Sequence, residues 1–280
     1  MKYGISSYVW VSPFSSHTLN QLQHAKDMGF DIYEIGVENP DVIDIELVKE
    51  EADKTGIAVH ICGAFGERRD IGSDVTEYRE EGMRYIKTLI DMAEVTGSPY
   101  VAGPMYAATG KTGIAGGEER IRQRKYVLEN MKRVAEYAAS KNVKLALEPL
   151  NRFETDFMNT VNQGLMLMDE LKQDNVGFLL DTFHMNIEEK DIPSAIRLAG
   201  NKLYDFHACA NDRGTPGEDH FNWPEIKKAL ADINYDGSVV IESFTTDIKE
   251  IARAVSLWRP LAKDQDTLAR EGLRFLKNTL

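Results

Sequence analysis

The sequence predicts an α/β protein, a closed (β/α)8 TIM barrel with one extra helix at its C-terminus. Short runs rich in Val, Leu and Ile alternate eight times with longer helix-like stretches, a pattern typical of parallel strands joined by helices. No change of composition divides the 280 residues, and barrels of this length commonly form one domain, so we expect 1–280 to be a single domain. An open doubly wound sheet would usually have fewer strands and a cofactor loop after the first strand.

Strands are expected at the apolar runs, because parallel strands that are covered on both faces are apolar almost throughout. They lie near 3–6, 32–36, 57–62, 99–103, 143–148, 176–181, 203–207 and 238–242. Helices are expected near 17–29, 43–56, 75–97, 118–141, 160–173, 191–199, 223–234 and 247–257, with the extra helix near 264–279 packing outside the ring. Terminal residues support several of them: Asp74 precedes one helix, Gly29 and Gly56 follow two others, and Pro224 lies just inside another.

Two connections are much longer than the others, at 63–74 and at 104–117. Both follow strands, so they are expected on the rim where a barrel of this type carries its active site. Their glycines would let them fold over a bound molecule as walls or lids.

The charge balance excludes some classes of partner. The chain has 45 acidic against 33 basic residues, a formal net charge of −12, which would repel nucleic acid over most of the surface. The sequence contains no glycine-rich loop of the P-loop type. A neutral small molecule is therefore the expected substrate, rather than a nucleic acid or a multiply phosphorylated compound.

The expected location is the cytoplasm. The N-terminal segment MKYGISSYVW lacks the basic region and the long apolar run of a secretory signal, and no apolar stretch is long enough to span a bilayer. Cys62 and Cys209 are too few for a disulfide framework, which fits a reducing compartment. We therefore expect no membrane association.

Four apolar runs in the second half of the chain each stop on a side chain that binds metals. The residues at these strand ends are Glu148, Asp181, His207 and Glu242. Parallel strands of a barrel deliver their last residues to one rim, so we expect these four side chains to meet there. Carboxylates with one imidazole and no thiolate suit Mn²⁺, Mg²⁺ or Co²⁺ better than a closed structural zinc site.

The segments after these strand ends carry further polar side chains. EPLNRFE at 148–154 places two carboxylates and an arginine beside the rim, and DTFHMN at 181–186 places His184 near enough to hydrogen-bond a substrate oxygen. HACANDR at 207–213 ends on Arg213, whose guanidinium offers a fixed fork of donors. Asn151 and Arg152 are expected to brace Glu148.

The chain resembles the ketose 3-epimerase family, the D-tagatose 3-epimerase and D-psicose (D-allulose) 3-epimerase group of the xylose isomerase-like barrels. The resemblance is strongest from 148 to 242. The motifs that carry it are LNRFE at 150–154, NT at 159–160, LDTFHMNIEE at 180–189, FH at 206–207, Arg213, PG at 216–217, Trp223, and INYDG at 233–237 before Ile241 and Glu242.

Carried over position by position, the resemblance implies that Glu148, Asp181, His207 and Glu242 hold one divalent metal ion. Mn²⁺ is the first expectation, with Co²⁺ or Mg²⁺ as alternatives. The resemblance further implies that Glu148 and Glu242 are the two acid/base groups. It also implies a homodimer or a homotetramer.

The remaining implied roles concern the substrate. Glu154, His184 and Arg213 are expected to grip it. The implied reaction is metal-dependent epimerisation at carbon 3 of a free ketose of the D-tagatose, D-psicose, D-fructose or ribulose type. A metal on the ketone and hydroxyl oxygens would stabilise the cis-enediolate that forms when the carbon-bound proton leaves. Inversion needs a second base, so one glutamate would remove a proton from one face and the other would return a proton to the opposite face.

Departures from the family pattern lie mainly at the expected specificity pocket. The epimerases commonly have a tyrosine-rich GIYY segment, whereas this chain has GISS at 4–7, which predicts a wider or more polar wall. The usual TGECNR becomes ACANDR, with Ala210 in place of a glutamate, and ESFTTD at 242–247 replaces the usual EPF segment. These differences leave the natural sugar open.

Three other functions remain open at this point. An aldose–ketose isomerase, or another isomerase of keto-polyols, would use the same enediolate chemistry one carbon along. An apurinic-site endonuclease shares this barrel, but it needs several zinc ions, more histidines and a basic groove. A non-catalytic sugar-binding barrel would have no need for two glutamates on one metal.

Overall fold

The computed structural model describes residues 1–113 and 116–280, and within them eight parallel strands close into a barrel. Each strand pairs with its neighbour in chain order, and the first strand pairs with the last. The strands are β1 Lys2–Ser6, β2 Ile32–Val37, β3 Ala58–Gly63, β4 Tyr100–Gly103, β5 Lys144–Leu147, β6 Val176–Asp181, β7 Leu203–His207 and β8 Ser238–Ile241. The predicted barrel is confirmed, while the assignment of 1–280 to one domain stays a prediction.

Helices surround the barrel. In the described ranges they are α1 Asn20–Asp27, α2 Ile45–Thr55, α3 Thr76–Thr96, α4 Gly117–Ser140, α5 Val161–Leu171, α6 Thr182–Glu188, α7 Ile192–Ala199, α8 Trp223–Asp232, α9 Lys249–Ala254 and α10 Gln265–Thr279. Each predicted helical stretch overlaps one of these helices, with ends that differ by at most three residues. α10 is the expected extra helix and packs against β1, β8 and α8. No helix in the described part of the chain has the length and apolar character needed to cross a membrane.

One helix was not predicted from the sequence, and one predicted helix cap was wrong. α6 was not predicted: it begins directly after β6, because the Asp181 side chain accepts a hydrogen bond from the Phe183 backbone N–H at 2.8 Å and so caps the helix. Asp74 does not cap α3. Val75 occupies the N-cap position, and Asp74 instead forms an ion pair with Arg122.

The two long loops are joined to each other beside the barrel rim. The Thr109 N–H donates to the Phe65 carbonyl at 2.7 Å, and Lys111 Nζ lies 2.6 Å from Asp70 Oδ2. The Gly110 N–H also donates at 2.7 Å to the carbonyl of residue 154, which follows β5. Ile114 and Ala115 of the predicted 104–117 loop lie outside the described residues.

The outer surface of the barrel is covered by apolar helix faces. Burying a Leu, Ile or Phe side chain completely stabilises the fold by about 1.5–3 kcal/mol. Side chains of α3 and α10 that form part of this core are Tyr85, Ile86, Leu89, Ile90, Leu268, Leu273 and Leu276.

The interior of the barrel is more polar than the apolar layers usual in this fold. Register partners in parallel strands point to the same face, and Glu34 pairs with His60 while Asp205 pairs with Ser238. These four residues and Tyr100 are buried. His60 Nδ1 lies 2.7 Å from Tyr100 Oη, which lies 2.6 Å from Ser238 Oγ, and Ser238 Oγ donates to Asp205 Oδ1 at 2.6 Å. A hydrogen-bonded series therefore runs inside the barrel.

The pairing of β6 with β7 contains a register shift, and beside it β7 lies so close to β6 that only a glycine fits at residue 177. Phe178 pairs with Leu203, but the next residue of β6 pairs with Asp205, so that Tyr204 has no partner. A Cβ atom at Gly177 would lie 2.3 Å from the backbone oxygen of residue 202 and 2.5 Å from the Tyr204 ring.

We expect Gly177→Ala to lower the free energy of unfolding by about 1–3 kcal/mol, because the added methyl group must displace backbone. Urea unfolding would measure the change. Gly66→Ala is the matched control, since a Cβ there meets nothing within 4 Å among the described residues. Equal stability of the two variants would contradict the argument.

His60 should make the stability depend on pH. Burial lowers the pKa of His60 to about 4, from the usual histidine value of about 6.5. The unfolded chain therefore binds the proton more readily, and the stabilising contribution is complete above about pH 6.5 and is lost as the pH falls towards 4. Between pH 7 and 4, we expect the native chain to lose up to about 3 kcal/mol more unfolding free energy than His60→Asn, whose amide retains a donor for Tyr100. Urea unfolding at several pH values would measure both losses, and equal losses would refute this assignment.

Candidate active site

The four side chains predicted at the strand ends lie together at the C-terminal rim of the barrel. Glu148 follows β5, Asp181 and His207 are the last residues of β6 and β7, and Glu242 follows β8. One ligand atom from each lies within 4.8 Å of those of the other three, and all four residues are buried. The strand geometry thus forms a compact cluster of three carboxylates and one imidazole, which is called the rim cluster below.

The donor set of the rim cluster fits a hard divalent cation such as Mn²⁺, Co²⁺ or Mg²⁺. His207 Nδ1 is buried, lies 3.7 Å from Glu242 Oε2, and has no hydrogen-bond partner among the described residues. An unpaired buried nitrogen destabilises a fold unless something binds it, so this atom supports a cation at the cluster. Cys209 offers no thiolate there, because its Sγ–H donates to the Glu242 carbonyl and burial raises the pKa of the thiol. The ligand roles themselves stay predictions.

The two glutamates of the rim cluster have different electrostatic environments. Burial raises the pKa of Glu148 well above its usual value, and the negative charge of Glu242 adds to the shift. Burial also acts on Glu242, but Arg213 and His207 outweigh it and hold the pKa of that carboxyl well below its usual range. Neighbouring carboxyls whose pKa values are pushed apart can serve as a proton acceptor and a proton donor at one pH.

Arg213 is the cation that faces the carboxylates. Its Nη1 donates to Asp181 Oδ2 and to Glu242 Oε2, both at 2.6 Å. Its guanidinium carbon lies 4.1 Å from the ring centroid of Phe183 and 5.2 Å from that of Phe244. The aromatic faces and the two carboxylates therefore fix the arginine at the edge of the cluster.

His184 and Glu154, two of the predicted substrate contacts, are joined by Asn151. The Asn151 backbone N–H donates to His184 Nδ1 at 3.0 Å, and its side-chain amide donates to Glu154 Oε1 at 2.8 Å. Burial lowers the pKa of His184, so the ring is neutral; its Nε2 lies 3.0 Å from Arg213 Nη2, which can only donate, and 3.6 Å from Glu148 Oε1. Asn151 thus supports the predicted substrate contacts and not Glu148, while Arg152 forms an ion pair with α6.

A cavity of about 430 Å³ opens beside the rim cluster, large enough for a small sugar. One side of it is polar and one side is apolar. A larger cavity of about 620 Å³ lies at the opposite end of the barrel and is lined by none of the rim-cluster residues. The residues that line the smaller cavity include Tyr8, Phe65, Glu148, Glu154, His184, Arg213, Glu242, Phe244, Ile251 and Val255.

Tyr8 forms a wall of the cavity at the place where the sequence predicted that Ser6 and Ser7 would make the wall wider or more polar. That prediction was wrong, because Ser7 turns to donors within the fold: its Oγ accepts the Gly36 N–H at 3.0 Å. Tyr8 reaches the cavity because Gly36 lacks a side chain, since a Cβ there would lie 2.4 Å from the Tyr8 ring. The wall is therefore an aromatic ring, 5.3 Å from the ring of Phe244.

Sequence reasoning missed Glu34 and Asp205, which contact His207 on its other side. Oε1 of Glu34 lies 3.0 Å and Oδ2 of Asp205 lies 3.6 Å from His207 Nε2. Burial raises the pKa of Glu34 to about 7, whereas for Asp205 the His207 contact outweighs burial and lowers the pKa. The available signal was one acidic residue inside each of the apolar segments IYEIGV and LYDFH.

Comparison with known proteins identifies relatives along the whole chain. Residues 22–279 match the family described as xylose isomerase-like TIM barrel. A protein of Synechocystis sp. named "Probable ketose 3-epimerase" is 37% identical over 279 residues, which cover 100% of this chain and 96% of that protein. The L-ribulose 3-epimerase of Methylomonas sp. is 31% identical, with 99% of this chain and 97% of that protein covered.

A solved structure shows the same arrangement of the chain. The D-allulose 3-epimerase from Methylomonas sp., in complex with D-allulose, superimposes with a TM-score of 0.93 at 29% sequence identity. The match covers 100% of this chain and 97% of that one. The similarity therefore extends over the barrel, the rim loops and the C-terminal helix.

Metal binding at the rim cluster can be tested without measuring turnover. We expect Mn²⁺ to raise the thermal unfolding temperature of the native chain, because a ligand that binds only the folded state stabilises it. Asp181→Asn should remove most of this increase, since a neutral amide replaces a ligand charge. Glu38→Gln, a change at a half-buried carboxyl outside the cluster, should retain it. The same increase in all three proteins would place the cation elsewhere.

Proposed function

The chain belongs to the xylose isomerase-like TIM barrels and, among them, to the ketose 3-epimerases, and we propose that it epimerises free ketoses at carbon 3 with one divalent metal ion. It is accordingly an isomerase-class enzyme that acts on sugars. The observation that carries the proposal is the pair Glu148 and Glu242, which reach one cavity from different strands of the barrel.

The two glutamates suit inversion because they approach the cavity from β5 and β8, which lie three strands apart around the barrel. A proton taken from one face of carbon 3 by one carboxylate leaves a planar centre, and the other carboxyl can return a proton to the opposite face. Glu242, held ionised by Arg213, begins as the base for one epimer, and Glu148 carries the proton more readily. The roles exchange for the reverse reaction.

The metal ion would be held by Glu148, Asp181, His207 and Glu242, with Mn²⁺ first and Co²⁺ or Mg²⁺ as alternatives. When bound, it would supply positive charge that stabilises the cis-enediolate formed on the sugar.

Three further residues position the sugar in this proposal. Arg213 donates hydrogen bonds towards the reacting end, and the neutral imidazole of His184, whose Nε2 lies beside Arg213 Nη2, can hydrogen-bond a sugar hydroxyl. Glu154, held by Asn151, can accept a hydrogen bond from a hydroxyl. Hydrogen bonds among the protein's own polar groups hold these side chains in place before a sugar enters.

The cavity favours an unphosphorylated sugar. Arg213 is the one basic side chain among its described lining residues, and it already contacts two carboxylates. A phosphate dianion would add negative charge beside the rim cluster without a free cation to pair with it. We therefore propose a free ketose of the D-tagatose, D-psicose, D-fructose or ribulose type, a range that includes the allulose and ribulose in the names of the relatives.

We also propose that the protein is cytoplasmic, as the N-terminal segment predicts, and a homodimer or homotetramer, as the family resemblance implies. Trp258, which follows α9, is 76% exposed and is a candidate contact between copies. The net charge of −12 makes nucleic acid an unsuitable partner.

Proton NMR in deuterium oxide, with saturating Mn²⁺ and a panel of ketoses, would test the proposal. The native chain should exchange the carbon-3 proton for deuterium and form the C3 epimer. Glu148→Gln and Glu242→Gln should each abolish inversion, since one of the two bases is lost. Each should still exchange the proton of one epimer through its remaining base, and the two variants should act on opposite epimers.

The outcome also separates the alternatives. An aldose product with exchange at carbon 1 would favour the aldose–ketose isomerase, and sugar binding without any exchange would favour a binding protein. Full exchange and inversion in both variants would refute the roles of the two glutamates.

A further inference from the structure

The ring of His207 lies between two groups of carboxylates. Its Nδ1 faces the rim cluster, whereas its Nε2 faces Glu34 and Asp205 in the barrel interior. Glu34, Asp205 and His207 have no exposed surface. Among the described residues, both oxygens of Glu34, Oδ2 of Asp205 and Nε2 of His207 have no hydrogen-bond partner of standard geometry, although Nε2 lies 3.0 Å from Glu34 Oε1. The proton nearest to these oxygens is therefore one carried by His207 Nε2.

A carboxylate can only accept a hydrogen bond, so the position of that proton has a consequence for the rim cluster. With the proton on Nε2, the neutral ring has its lone pair on Nδ1, the atom that faces Glu242. With the proton on Nδ1, the ring could not bind a cation there. The two interior carboxylates thus favour the tautomer that a metal ligand needs.

The orientation of Asp205 is itself determined by its neighbours. Its Oδ1 accepts the Phe206 N–H at 2.9 Å and the Ser238 O–H at 2.6 Å. Ser238 has one proton and donates it to Asp205, so its oxygen must accept from the Tyr100 hydroxyl, 2.6 Å away. The Tyr100 oxygen in turn accepts from His60 Nδ1–H at 2.7 Å. The Asp205 carboxylate at the end of the series therefore fixes the direction of every hydrogen bond in it.

We propose that Glu34 and Asp205 are positioning residues that hold His207 in the Nε2–H tautomer, and that Ser238, Tyr100 and His60 keep Asp205 oriented from the other end of the barrel. The series begins at the large cavity that His60, Tyr100 and Ser238 line, and it ends at the metal-binding nitrogen. The inference rests on the proposed metal-dependent function. In this proposal, residues of the barrel interior keep His207 Nδ1 free of a proton, so that this atom can bind the metal ion.

Asp205→Asn is the most direct test. Its oxygen should continue to accept from Phe206 and Ser238, which turns the amide NH2 towards His207 Nε2. A donor then replaces the acceptor 3.6 Å from Nε2 and competes with Nε2–H for the Glu34 carboxylate, so the Nε2–H tautomer should lose population to the Nδ1–H tautomer. We expect the dissociation constant for Mn²⁺ to rise about 10–100-fold in calorimetry. Burial lowers the pKa of His207 but the surrounding carboxylates outweigh it and raise the pKa, so ¹⁵N NMR of metal-free protein at a pH alkaline enough to leave the ring neutral should show His207 shifting from the Nε2–H towards the Nδ1–H form.

Two more variants separate positioning from a general loss of stability. Glu34→Gln retains an acceptor oxygen for Nε2–H, so it should keep the tautomer and lose less Mn²⁺ affinity than Asp205→Asn. Ser238→Ala should weaken Mn²⁺ binding, whereas Ser73→Ala, at a buried serine whose Oγ accepts the Val75 N–H outside the series, should not. If Asp205→Asn does not fold, the comparison of Ser238→Ala with Ser73→Ala decides the question.

Unchanged Mn²⁺ affinity and an unchanged tautomer in Asp205→Asn would overturn the inference. So would a native stoichiometry of two Mn²⁺ per chain with one lost in Glu34→Gln, since Glu34 and Asp205 would then be ligands. Failure of the native chain to bind any divalent cation would instead refute the proposed function, so the two failures are distinguishable.

Discussion

The concentration of buried negative charge at one end of the barrel is the constraint on which the rest of the molecule depends. Three carboxylates at the ends of β5, β6 and β8 are withdrawn from water, and each raises the energy of the others. Arg213 and His207 offset part of this repulsion. The arginine is in turn fixed by aromatic rings, and the histidine by carboxylates further inside the barrel. The fold and the site are therefore parts of one electrostatic arrangement.

Much of this arrangement could be predicted because it is encoded by local patterns. Short apolar runs marked the strands, and a parallel barrel brings the ends of its strands to one rim, so that residues separated by almost 100 positions could be placed together. Glu148 and Glu242 stand out for this reason. His184 and Arg213 were found through motifs in the segments that follow the strands, although their contacts with Asn151 and Asp181 depend on tertiary geometry.

Other features had no adequate local signal. Glu34 and Asp205 are single acidic residues within apolar strands, and which side of the barrel wall they face follows from register alone. α6 begins without a turn, because Asp181 serves at once as the last residue of a strand and as a helix cap. The cavity wall could not be predicted from Ser7, because it depends on the space that a glycine on the neighbouring strand leaves for the Tyr8 ring.

That space links two positions that are distant in the sequence. Tyr8 can occupy its place only while residue 36 is a glycine, and the glycine in turn leaves a void unless an aromatic ring fills it. Laboratory evolution of sugar preference that changes one position at a time would encounter a fitness valley here. A combinatorial library that varies both codons together would give access to pocket shapes that neither single replacement can reach.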